Sequence, residues 1–189
     1  VKITGGQAGG LPIRTPPGTR TRPSTDRLRE SLFAMLTPRL PGSRVLDLYA
    51  GSGSLGIEAA SRGASHVEWV ERHGPTLSLL KQNVSALTPA GVDVTSRFHR
   101  SDVFPFLTAS PPTPFDLILI DPPYADLEEE GTSERLFRRI REHQWLAPTG
   151  LVVLESESRW QPAGERVGWT FRRRKVYGSS AVGLWALAE

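Results

Sequence analysis

From residue 44 to about residue 157, apolar runs of strand length alternate with stretches of helical period, and that alternation leaves few folds open to this chain. Strands are expected at 44–49, 66–70, 92–98, 115–120 and 151–154, with helices at 57–61, 75–87 and 133–143 and a short helix after Asp102. Joining a strand to a parallel neighbour takes a helix's length of chain, so the pattern implies a parallel sheet covered by helices on both faces, with right-handed crossovers. The rhythm then changes. Residues 169–176 and 182–188 are strand-like but joined only by Tyr177-Gly178-Ser179-Ser180, too short for a crossover, so an antiparallel hairpin is expected at the sheet edge.

Upstream, Lys2-Ile3-Thr4 and Leu11-Pro12-Ile13-Arg14 are short apolar pieces between glycine pairs, which suit a small hairpin or a loose arm. Pro23-Ser24-Thr25 opens a helix whose stripe is Leu28, Leu32, Phe33, Met35 and Leu36, stopped before Pro38, and whose exposed face is expected to carry Arg22, Arg27 and Arg29. Residues 1–44 hold eight basic side chains against Asp26 and Glu30, a net of +6, while the remainder carries −3. A basic end on a near-neutral body points to a polyanion partner. The 189 residues suit one domain, and the absence of cysteine excludes disulfides, thiolate zinc sites and a cysteine nucleophile. No apolar run approaches the roughly 18 residues of a membrane span, and the first ten residues lack a secretory core, so a soluble, cytoplasmic protein is expected.

Two stretches carry chemistry. Leu117-Ile118-Leu119-Ile120 is a buried strand that stops at Asp121-Pro122-Pro123-Tyr124, where neither proline can donate to a ladder. Alone, this serves equally as a turn or as a site with a carboxylate on one side and a ring on the other. Gly51-Ser52-Gly53-Ser54-Leu55-Gly56 follows a strand and opens a helix, which lets backbone approach a ligand closely. Fifteen residues on, Glu71 ends the second strand, from where a carboxylate reaches ribose hydroxyls. Asp47, four residues before Gly51, would repel a pyrophosphate at that turn; it either attracts a cationic ligand or holds the loop by hydrogen bonds. Asp102 stands where a carboxylate reads an adenine amine, and equally where it caps the following helix. His66, His73, His99 and His143 show no metal-ligand spacing, and no metal is implied.

DLYAGSGSLG (47–56), VE (70–71), SDVF (101–104) and DPPY (121–124) resemble, in order and spacing, the amino-group branch of the class I S-adenosylmethionine-dependent methyltransferases. RPSTDRLRESLF (22–33), with ITGGQAGG (3–10) and KVYG (175–178), narrows the resemblance to the bacterial small-subunit ribosomal RNA guanine-N2 methyltransferases. That family implies a Rossmann-like α/β fold: seven strands in order 3-2-1-4-5-7-6 with an antiparallel seventh strand, a basic N-terminal hairpin over 1–21 and a methyltransferase domain over 22–189. It implies S-adenosylmethionine bound by Asp47, Ala50, Gly51, Ser52, Gly53, Gly56, Glu71, Arg72, Asp102, Val103 and Thr25. It implies catalysis by Asp121, Pro122 and Tyr124, and RNA contacts from Arg14, Arg20, Arg22, Arg29, Pro123, Lys175 and Tyr177. The implied partner is small-subunit ribosomal RNA in an assembling subunit, met by a monomer without a membrane. A DNA or RNA adenine-N6 or protein glutamine-N5 methyltransferase, and a noncatalytic nucleic-acid binding module, are the alternatives, with an NAD oxidoreductase more distant.

Overall fold

The computed structural model describes residues 1–17, 23–129, 131–160 and 166–188 and, of residues 23–25 and 128, the backbone alone. One seven-stranded sheet organises the chain: β1 (Arg44–Leu48), β2 (His66–Val70), β3 (Thr95–His99), β4 (Phe115–Ile120), β5 (Leu146–Glu157), β6 (Trp169–Tyr177) and β7 (Ser180–Leu187). Their order is β3-β2-β1-β4-β5-β7-β6, as the resemblance implies. β1 to β5 pair in parallel, and β7 runs antiparallel to both β5 and β6.

The β1–β4–β5 centre is apolar on both faces, so a strand here reads as a continuous greasy run. Leu46, Leu48, Ile118, Ile120, Val152 and Leu154 pack to one side with α6 (Thr132–Glu142), whose Leu136, Phe137 and Ile140 are buried. Val45, Leu117, Leu119, Val153, Val182 and Leu184 face the other side, with α1 (Pro23–Leu36), α2 (Ser54–Ser61) and α3 (Gly74–Ser85). The first fourteen residues are held against this second side, with Ile3 and Ile13 buried. One isolated bridge, Lys2 to Pro12, is the hairpin expected there. Thr4 donates from its backbone N and its hydroxyl to Glu58 at 2.8 and 2.7 Å, which ties the segment to α2.

Several boundaries differ from the sequence reading. β5 starts at Leu146, not 151, because Leu146 pairs with Phe115 ahead of an irregularity in the ladder. β3 starts at Thr95, and the hairpin turn shortens to Gly178-Ser179 because Tyr177 and Ser180 already pair. After Pro123 the chain forms a short helix, α5 (Tyr124–Glu128). Among the described residues no helix is long and apolar enough to cross a membrane, and no cluster of three metal-binding side chains occurs.

Candidate active site

The carboxyl ends of β1, β2, β3 and β4 open together onto a cavity of about 620 Å³, the place where open α/β sheets bind ligands. The turn after β1 contributes Tyr49 and Gly51, and the segment after β2 contributes Glu71, Arg72 and His73. After β3 come Ser101, Asp102 and Val103, and after β4 the whole of Asp121-Pro122-Pro123-Tyr124.

The glycine turn is held from behind. Asp47 is 1% exposed, and its Oδ2 accepts from Gly56 N at 2.9 Å, so of its two sequence readings the loop-holding one is what the structure displays. Burial holds its carboxyl well above the usual range, opposed by the Gly56 hydrogen bond and reinforced by the nearby charges of Asp121 and Glu71. Glu71 Oε2 accepts from Gly51 N at 3.0 Å and Oε1 from His73 N at 2.7 Å. Those two bonds leave the acid with free lone pairs toward the cavity. Asn83, 4% exposed, donates to Ser52 O and Arg14 O, each at 2.9 Å, and accepts from Arg14 N at 3.1 Å, joining the basic segment's backbone to the turn. The Arg14 side chain itself is exposed.

Ala50 and Gly53 lie inside the turn, with Ala50 N donating to Val70 O at 3.0 Å and Gly53 N to Ala50 O at 2.8 Å. Asp102 both lines the cavity and caps α4 (Val103–Phe106) through Phe104 N at 3.0 Å, while its Oδ2 lies 3.6 Å from Arg72. The two sequence readings of Asp102 are therefore compatible. Val103 is 3% exposed beneath it.

Asp121 is an exposed residue that presents its carboxylate to the cavity; the walls packed around it desolvate the carboxyl in part, and that pushes its pKa up to about 6. Pro122 is buried and Pro123 exposed at the start of α5. The Tyr124 hydroxyl bonds Ser180 Oγ at 2.9 Å, which fixes the ring at the cavity's edge; burial raises its pKa. Because folding raises the Asp121 pKa, the folded protein holds that proton more tightly than the unfolded chain. Its stabilising contribution is complete below about pH 4 and lost as pH rises through about 6. Asp121→Asn removes this dependence. Thermal melting should show the variant more stable than wild type at pH 8, with the gap closing toward pH 4.

The remaining candidates disperse. Arg29, expected on the exposed face of α1, is 5% exposed: it donates to Lys2 O at 2.7 Å and Asp26 Oδ1 at 3.0 Å and lies 3.5 Å from Glu58. A guanidinium so enclosed is engaged inside the fold, not offered to a phosphate. The turn toward the interior follows from Glu58, a fully buried acid of α2 that needs cations beside it. Lys175 Nζ reaches Ser31 Oγ at 3.2 Å, and the Tyr177 hydroxyl donates to the same oxygen, so both lie against α1. Arg20, Arg22 and the side chain of Thr25 lie outside the described residues. Tyr49 and Thr76, which line the cavity, and Glu155, which neighbours Asp121 outside that lining, escaped the sequence reading. Tyr49 carries a left-handed φ of 60° straight after β1, and burial pushes its phenol up to about 12. For Glu155 a signal existed: an acid ends the run Leu151–Leu154 just as Asp121 ends Leu117–Ile120.

Residues 1–186 match the family model described as conserved hypothetical protein 95. The chain belongs to this family. Ribosomal RNA small subunit methyltransferase D of Escherichia coli (strain K12) is 32% identical over 185 residues, covering 98% of this chain and 89% of that protein. The protein of the same name from Haemophilus influenzae is 33% identical, covering 89% of this chain and 83% of its own length. Among solved structures, yhhF from Escherichia coli is 30% identical and superimposes with a TM-score of 0.84, over 100% of this chain and 99% of that one. The hypothetical protein TTHA0928 of Thermus thermophilus is 32% identical with a TM-score of 0.74, over 99% of each chain. The fold is the Rossmann-like fold of class I methyltransferases.

Proposed function

We propose that this protein transfers a methyl group from S-adenosylmethionine to the exocyclic N2 of one guanine in small-subunit ribosomal RNA. One observation carries the reading: a single cavity joins Asp121-Pro122-Pro123-Tyr124 to the glycine turn and Glu71. The donor set suits the cofactor. Glu71, Asp102 and Asp121 line the space against Arg72 alone among the described lysine and arginine side chains, with Asp47 behind them, so a sulfonium and an ammonium are attracted where a pyrophosphate is repelled. Glu71 would accept from the ribose hydroxyls, and Asp102 and Val103 would hold the adenine end. Bound there, S-adenosylmethionine supplies an electrophilic methyl group.

An exocyclic base amine is a poor nucleophile, because its lone pair is delocalised into the ring. The Asp121 carboxylate and the Pro122 carbonyl accept its two N–H bonds and so turn the lone pair out of conjugation; positioning supplies much of the rate. Positive charge growing on that nitrogen is stabilised by Asp121, and a carboxyl titrating near pH 6 is suited to hold the released proton on Oδ at neutral pH. Tyr124, fixed through Ser180, stacks on the base once it has left its neighbours. Arg14 and the other basic residues of the N-terminal segment hold phosphates, which position the RNA while the cavity chooses the base.

Labelled methyl from S-adenosylmethionine, offered to naked ribosomal RNA, assembling small subunits and duplex DNA, tests this directly. N2-methylguanosine in the RNA is the expected product. N6-methyladenosine, or label in DNA, would overturn the assignment of guanine. Glu71→Ala is expected to weaken binding of S-adenosylhomocysteine about ten- to a hundredfold by calorimetry, since it removes charge-assisted hydrogen bonds and frees Gly51 N from its partner.

A further inference from the structure

Asp121 has a neighbour that the mechanism above does not use. Ile120 of β4 pairs with Leu154 of β5 in a parallel ladder, so the next residues, Asp121 and Glu155, continue from adjacent strands about 4.8 Å apart. Alternation along the strands puts both on the side of Leu119 and Val153, the side that faces α1. Glu155 is half-buried, and among the described residues its carboxyl makes no hydrogen bond or ion pair, while its backbone pairs with Val182 of β7. The charged groups around it are Asp121, which disfavours its ionisation, and Arg29 of α1, which favours it; Tyr124 lies close enough for its phenol to sense Glu155. Burial is the largest influence and raises its pKa. A carboxylate kept out of water without a partner is costly, and its fold neighbours supply no donor to relieve it.

We propose that Glu155 accepts the N1–H of the target base while Asp121 accepts from the adjacent amine, so that the two carboxylates together select guanine over adenine. The inference rests on the function proposed above and supplies what Asp121-Pro122-Pro123-Tyr124 cannot, because that motif meets an amine without reading the atom beside it. On guanine the ring nitrogen next to the amine is a donor, and on adenine it is an acceptor. Once ionised, Glu155 is acceptor-only, so it completes guanine's edge and faces adenine's lone pair with its own; the N1–H of guanine favours that ionised form against burial and Asp121, and the selection holds at pH values above the acid's raised pKa. A site built to receive an N–H discriminates strongly against a base that lacks it.

The test uses small subunits assembled on ribosomal RNA carrying guanine, or adenine, at the position that nucleoside analysis maps for the wild-type enzyme. Glu155→Gln keeps the shape and offers an amide N–H to adenine N1. It is expected to lose roughly ten- to a hundredfold in kcat/KM on guanine and to narrow the guanine-to-adenine ratio by at least about tenfold. Glu155→Ala removes the acceptor without adding a donor, and should lose guanine activity without gaining adenine activity. Melting temperature and S-adenosylhomocysteine affinity at or above wild-type levels would separate these effects from misfolding. An unchanged guanine-to-adenine ratio in Glu155→Gln, whether its rate is normal or equally reduced on both bases, would overturn the role of Glu155 and leave the methyl transfer intact. Absence of N2-methylguanosine with the wild-type enzyme would instead overturn the proposed function itself.

Discussion

Asp121→Ala is expected to lower methyl transfer by roughly a hundred- to a thousandfold, the usual loss when one group aimed at developing charge is removed. Binding of S-adenosylhomocysteine, which lacks the sulfonium that the Asp121 carboxylate would attract, should fall much less than in Glu71→Ala, because Glu71 and the glycine turn are held by their own hydrogen bonds and do not lean on Asp121. The variant should not be less stable. Desolvation already disfavours the Asp121 carboxylate, and its charge also burdens Asp47 and Glu155, so deleting it removes one strained acid and relieves the other two. Single-turnover transfer, calorimetry and thermal melting on one preparation give the three readouts. Equal activity of the variant and wild type would remove the mechanism proposed here.

Gly53→Ala should produce a large loss of stability, about 2 to 5 kcal/mol from left-handed strain and overpacking together. Gly53 has φ 86°, and a Cβ there would lie 2.3 Å from Leu80 Cδ1 and 3.2 Å from Ile57 Cδ1. Leu80 and Ile57 are fully buried, so neither side chain has free space into which to retreat. Gly51→Ala is the natural control. Gly51 also has a left-handed φ, 55°, but its Cβ would meet nothing closer than Tyr49 O at 3.9 Å, so only the strain of about 1 kcal/mol is expected. Denaturant unfolding of the two variants separates the backbone contribution from the packing contribution. Two glycines of one motif thus serve different ends.

What was legible in the sequence follows the physics of each feature. The sheet order was readable through the resemblance, and the parallel core through its unbroken apolar runs, since β1, β4 and the middle of β5 are buried on both sides. β3 was placed three residues early because its pattern is half polar, as befits an edge strand. The glycine turn, Glu71 and Asp121 were found because they sit at strand ends, where position along the chain fixes position in space. Arg29 was misplaced because helical period alone cannot reveal Glu58, buried 29 residues away on another helix. Glu155 was missed for a related reason: its neighbour in space is Asp121, and only the β4–β5 register brings the two together.

The strand order also bears on how the chain must assemble. β7 is the latest of the seven strands in sequence, yet it lies inside the sheet, between β5 and β6. α1, the earliest helix, packs on β6 and β7, and the Tyr177 hydroxyl meets Ser31 across a separation of 146 residues. The first helix therefore has no finished surface to settle on until the final hairpin has inserted. Closing so long a loop is entropically costly and is rewarded only at the end, which places the docking of α1 late in folding and makes it slow. By the same logic, fraying of the hairpin in the folded protein would release α1 along with it. Helix and hairpin should therefore exchange their amide hydrogens as one cooperative unit.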